Sequence, residues 1–124
     1  YNLQKKTSAA EKVFIQAAKQ FPNDEYVQWA AGEHYFINKN FPIAVRYLER
    51  AVKIDAKSGR AQLGLAESQF ELGNHESAVK HYFSACQIDK SNIAREAFRT
   101  AASKLRNKQN PASYEYDKMI QQCP

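Results

Sequence analysis

Phe41 to Asp55 reads FPIAVRYLERAVKID, and His75 to Asp89 reads HESAVKHYFSACQID. Ala44 pairs with Ala78, Val45 with Val79, Ala51 with Ala85, Ile54 with Ile88 and Asp55 with Asp89, each displaced by 34 residues. One step back, Ala44, Leu48 and Ala51 land on Ala10, Phe14 and Ala17; one step on, Ala78, Tyr82 and Ala85 land on Ala112, Tyr116 and Met119. A period of this length signals stacked copies of one supersecondary unit rather than a globule built round one active site. It points to a protein that holds another molecule.

The copies read as helix pairs. Glu25 to Asn38 carries Val27, Trp29, Ala30, Ala31, Tyr35, Phe36 and Ile37, more apolar residues than one stripe holds, as suits a helix packed on more than one side. Asn38-Lys39-Asn40 interrupts it. Asn40 can cap the next helix, and Pro42 falls in the first turn, where no backbone donor is lost. Ser58 is positioned to cap Arg60 to Leu72, Gly73 to end that helix in a left-handed conformation, and Asn74 to cap His75 to Ile88. A further helix runs from Asn92 to about Leu105, and Asn110-Pro111 starts the last one. At the front, Ser8-Ala9-Ala10-Glu11 has capping-box spacing, and Phe21-Pro22 closes that helix. The count is seven helices and no strand. The apolar set Ala94, Phe98, Ala101, Ala102 and Leu105 sits one residue early against the 34-residue step, so the loop before Pro111 should be one residue longer.

Composition sets limits. The chain has 124 residues, 44% of them hydrophobic and 25% charged, with only four Gly and four Pro, which leaves little room for long loops. No apolar run approaches the ~20 residues a bilayer span needs. The chain does not start with Met and its ends fall inside the repeat pattern, so it reads as part of a longer array. Two cysteines are too few for a disulfide framework, and Cys86 beside Ala85 reads as a buried free thiol. That leans towards a reducing, cytoplasmic setting. The whole net charge of +5 sits in Lys90 to Lys108, where six basic residues face Glu96 alone.

These residues resemble the tetratricopeptide repeat (TPR) family. Its signature is met by Gly32-x2-Tyr35 with Ala44-x3-Leu48, by Leu65-Ala66 and Gly73 with Ala78-x3-Tyr82, and in the flanks by Ala10-x3-Phe14 with Pro22 and Ala112-x3-Tyr116 with Pro124. Tyr1 also falls one period before Tyr35. Trp29 lies one residue late for the family's Trp, and Ala56 and Lys90 stand where the closing Pro is expected. The resemblance covers residues 1–124 as one array: a partial unit 1–22, full units 25–58 and 59–92, and a divergent unit 93–124. It implies an all-α fold, a right-handed solenoid of antiparallel helix pairs. The piece Ala10 to Glu49 is also similar to the half-a-TPR repeats of RNA-processing assemblies, in its Phe-Pro-Asn-Asp linker and Leu-Glu-Arg-Ala segment.

In such an array, the resemblance implies, the first helix of each pair lines a concave groove. At 100° per residue Tyr26, Trp29, Glu33, Phe36 and Ile37 share one arc of the first complete unit, and Arg60, Leu63, Glu67, Phe70 and Glu71 are their counterparts in the next. Aromatic anchors with a few charges suit an apolar or helical peptide segment. The competing reading is that Trp29 and Phe36 merely pack on a neighbouring helix. Some TPR domains hold a C-terminal carboxylate in this groove; Trp29, Glu33 and Gly64 stand at the comparable positions here, and Glu33 and Glu67 would repel such a group.

Arg95, Arg99 and Arg106 share one helical face and could meet phosphate or carboxylate, which makes RNA an alternative partner of the half-a-TPR kind. Base-stacking aromatics are missing there apart from Phe98, which the pattern assigns to the core. A third alternative is self-association through exposed end helices. Nothing suggests an enzyme, a metal or a cofactor. His34, His75 and His81 lack helical ligand spacing, and no phosphate-cradling loop or nucleophile elbow is present. The sequence therefore reads as a non-catalytic protein-interaction scaffold.

Overall fold

The computed structural model describes residues 2–89 and 91–124, with side chains from residue 9 onward; Tyr1 and Lys90 lie outside it. Seven helices occupy the described residues, and there is no strand among them. They are α1 (Asn2–Gln20), α2 (Glu25–Ile37), α3 (Phe41–Ile54), α4 (Gly59–Glu71), α5 (His75–Ile88), α6 (Asn92–Asn107) and α7 (Ser113–Ile120). Their ends follow local chemistry. Asp24 accepts from the Val27 amide, Asn40 from that of Ile43, and Ser58 from that of Ala61. Asn74 occupies the equivalent position, but its side chain donates instead to the buried Gln69 Oε1 at 2.8 Å. The capping box at Ser8 does not start α1, because no Gly or Pro interrupts the backbone between Asn2 and Gln20 and the helix runs straight through.

Three-residue turns fold α2 onto α3 and α4 onto α5, which makes each pair antiparallel. Both turns are built alike. The third residue, Asn40 or Asn74, donates its amide back to the carbonyl of Tyr35 or Gln69, and the middle residue is left-handed, at Lys39 (φ 62°) and Gly73 (φ 82°). The same turn recurs as Lys108-Gln109-Asn110, with Gln109 at φ 55° and the Asn110 amide bonded to the Leu105 carbonyl. The loop before Pro111 is therefore not where the extra length enters. It lies inside α6, which has 16 residues against 13 in α2 and α4. The Asn110 carboxamide accepts from the Ala112 amide, and the last helix begins two residues after Pro111.

Burial follows the repeat. Ala44, Leu48 and Ala51 of α3 and Ala78, Tyr82 and Ala85 of α5 are all buried. In α6 the buried set is Ala94, Phe98, Ala101, Ala102 and Leu105, the register displaced by one residue that the sequence predicts. Gly32 is required by a close approach: a Cβ there would sit 2.6 Å from Leu48 Cγ. A buried glutamine ties each of α2 and α4 to the chain before it. Gln28 Nε2 donates to the carbonyls of Ala18 and Phe21, and Gln62 Nε2 to that of Ala56.

Cys86 and Cys123 are not free thiols. They form a disulfide across a Cα–Cα distance of 5.8 Å. Helix α7 packs on both α5 and α6, and this brings the C-terminal tail back over Cys86. The cytoplasmic lean drawn from a free thiol loses its basis.

Candidate concave groove

The first helices touch one another along the array, α2 with α4 and α4 with α6; of the second helices, α5 touches α7 but α3 does not approach α5. Helices α2, α4 and α6 therefore lie side by side along one face of the stack. Every groove residue inferred from the sequence lies on α2 or α4, and all but Ile37 fall into two sets.

The first set is Tyr26, Trp29, Arg60 and Leu63, at the N-terminal ends of α2 and α4. Tyr26 is 57% exposed and Trp29 half-buried. The Arg60 guanidinium lies 5.0 Å from the Tyr26 ring centre and 4.7 Å from that of Trp29. Arg60 also makes an ion pair with Glu25 at 2.7 Å, and Glu25 accepts from the Ser58 hydroxyl at 2.7 Å. Burial raises the Glu25 carboxyl, but the hydrogen bonds from Arg60 and Ser58 outweigh it, so its pKa lies below the ordinary value. This network links consecutive repeats and holds a cation over both rings.

The second set is Glu33, Phe36, Glu67, Phe70 and Glu71. Phe36, Glu67, Phe70 and Glu71 line a cavity of 220 Å³ together with Tyr82 of α5 and Ala97, Thr100 and Lys104 of α6. Glu33 lies beside it, against Gly64. Ile37 stands outside it, 72% exposed. Burial raises the Glu33 carboxyl. Burial and then the charge of Glu33 push Glu67 up to about 7, with Glu71 adding to the rise and Lys104 opposing it. Phe36 and Phe70 serve both readings drawn from the sequence. Phe36 packs edge-to-face with Phe41 and Phe70 with His75, yet each also lines the cavity.

Sequence reasoning missed the α6 wall and Tyr82. The displaced register holds the signal for α6, because stepping 33 residues rather than 34 from Glu67 and Glu71 reaches Thr100 and Lys104. Tyr82 carried no such signal, since it sits on a second helix and reaches the groove only through the space between first helices.

The three arginines of α6 are engaged within the molecule. Arg95 donates to the Cys123 carbonyl at 3.1 Å, Arg99 pairs with Glu96 at 3.0 Å, and Arg106 pairs with Asp117. Arg95 and Arg106 thereby bind α6 to the segment that follows it. No group of three or more metal-ligating side chains occurs among the described residues.

Antiparallel helix pairs recurring at 34 residues, with the first helices side by side on one face, define a helical-repeat scaffold. The family model for the tetratricopeptide repeat matches residues 4–58 and again residues 30–93. The chain belongs to the tetratricopeptide repeat family. Repeats of this family generally mediate protein–protein interaction and typically act as non-catalytic scaffolds. No curated protein matches the chain in sequence. No described helix is long and apolar enough to cross a membrane.

Proposed function

We propose that the chain holds an apolar or helical segment of a partner protein in the groove formed by α2, α4 and α6. The observation that supports this most directly is the row of partly exposed aromatic side chains, Tyr26, Trp29, Phe36 and Phe70, on the first helices, which lie side by side. Aromatic anchors in a concave, partly desolvated surface supply most of the energy in such contacts. The RNA alternative has less support, because each arginine it needs already has a partner within the chain.

Trp29 is the residue to test, since it is less committed to the core than Phe70. Peptides selected from a displayed library by the wild-type protein should lose affinity for Trp29→Ala by about 2 kcal/mol, roughly 30-fold. Helical circular dichroism should be unchanged. Full affinity together with a lost fold would place Trp29 in the core and remove the groove assignment.

A further inference from the structure

The cavity between Phe36 and Phe70 has a chemistry that an apolar segment alone does not satisfy. Its rim carries Glu67 and Glu71, with Glu33 adjacent, against Lys104 as the single cation. No hydrogen bond or ion pair within the described residues reaches the carboxylates of Glu33, Glu67 or Glu71. Lys104 acts on Glu67 only at a distance and does not contact it. A second, independent observation comes from below. Tyr82 is 3% exposed, its ring is stacked on Phe98 with centres 5.2 Å apart, and it lines the cavity near Glu67. Its hydroxyl has no hydrogen-bond partner among the described residues. The ring is buried but the hydroxyl is not sealed off with it, so a group entering the cavity could pair with that oxygen. At 220 Å³ the space suits one long side chain rather than a helix turn.

We propose that this cavity receives a single lysine or arginine side chain from the bound segment, its aliphatic stem between Phe36 and Phe70 and its charged head on Glu67, within reach of Glu71 and the Tyr82 hydroxyl. The proposal rests on the groove reading above and adds the partner's chemistry: a basic residue flanked by apolar ones. Lysine and arginine suit such a site because their stems bury against apolar walls while the head meets charge. Net negative charge at the rim rejects acidic segments.

The test is a selection of random twelve-residue displayed peptides on three proteins: wild type, Glu67→Gln and Trp29→Ala. Wild type should enrich a lysine or arginine at one fixed position between apolar residues. Replacing that residue by norleucine in the synthetic peptide should weaken binding at least tenfold on wild type and less than twofold on Glu67→Gln. Enriched peptides that need Trp29 but show no fixed basic residue would overturn this proposal and leave the groove reading intact. Peptides indifferent to Trp29→Ala would overturn the groove reading itself. A second arm does not depend on peptide capture: Nα-acetyl-arginine amide titrated against the 15N-labelled protein should shift the amides of Glu67, Phe70 and Thr100 in wild type and not in Glu67→Gln. Equal shifts in both proteins, or none in either, would overturn the cavity assignment.

Discussion

Glu67 carries a cost that its surroundings explain. Glu33 on α2, Glu71 on α4, Tyr82 on α5 and Lys104 on α6 face it, and only Lys104 favours its charge. With an ordinary value of 4.5 raised to about 7 in the folded protein, Glu67 keeps a proton that the unfolded chain has already released. Between those values the native state binds more protons, so stability falls as pH rises through the window. Glu67→Gln should therefore stabilise the protein above pH 7 by about 1–2 kcal/mol and make little difference below pH 4.5. Urea unfolding of both proteins at the two extremes measures this, and identical midpoints at alkaline pH would contradict it. Two glycines show how local geometry decides the sign of one substitution. A Cβ on Gly32 meets the Cγ branch point of Leu48 at 2.6 Å, whereas on Gly64 it meets the methyl ends of Leu48, Cδ2 at 3.1 Å and Cδ1 at 3.4 Å. Helix propensity favours alanine at both by about 1 kcal/mol. Overpacking at Gly32 costs roughly 1–3 kcal/mol and should win. Gly32→Ala should thus lower the denaturation midpoint while Gly64→Ala leaves it near wild type, and equal effects would disprove the close approach.

At the scale of elements, α7 is the weakest part by its own resources. It has eight residues, and helices that short are marginal in isolation. Three devices hold it: the Cys86–Cys123 disulfide, the Arg106–Asp117 ion pair, and the buried Tyr116, whose hydroxyl donates to the His75 carbonyl at 3.2 Å. The ion pair is half exposed and contributes little. Cross-linking residues 37 apart removes chain entropy from the unfolded state worth about 4 kcal/mol. Cys123→Ser should accordingly lower stability by up to that amount and raise amide exchange in Ser113–Ile120 well before that in α4 and α5. Uniform exchange, with no loss on reduction, would show that packing of Tyr116 alone secures the helix.

At the scale of the molecule, contacts with the C-terminal segment set α6 apart from the other first helices. Its cations Arg95 and Arg106 face the C-terminal segment, and the groove wall it supplies is Ala97, Thr100 and Lys104. A nucleic-acid role through Arg95, Arg99 and Arg106 would require breaking these internal contacts. Single-stranded RNA should therefore bind weakly, with a log–log salt slope no steeper than about −2 for three phosphate contacts, and be released near physiological salt. Tight, salt-resistant retention in a filter assay would favour the half-a-TPR reading over a peptide scaffold.

The sequence by itself determined the helix pairs, their number and the faces that pack. Those depend on local propensity, capping residues and a 34-residue spacing that survives in Ala44, Ala78 and their neighbours. It also placed Trp29, Glu33, Glu67 and Phe70 on one side, because a helical wheel needs no knowledge of the partner helix. Tertiary structure alone decided three things. The Cys86–Cys123 pairing depends on how α7 docks across α5, which spacing does not encode. The extra length in α6 stayed hidden because the buried set keeps the same one-residue displacement from Ala94 to Leu105, and nothing in that pattern marks where the helix ends. Tyr82 enters the groove from a second helix because the first helices leave a gap between α4 and α6, and a gap is a property of packed surfaces rather than of any one of them.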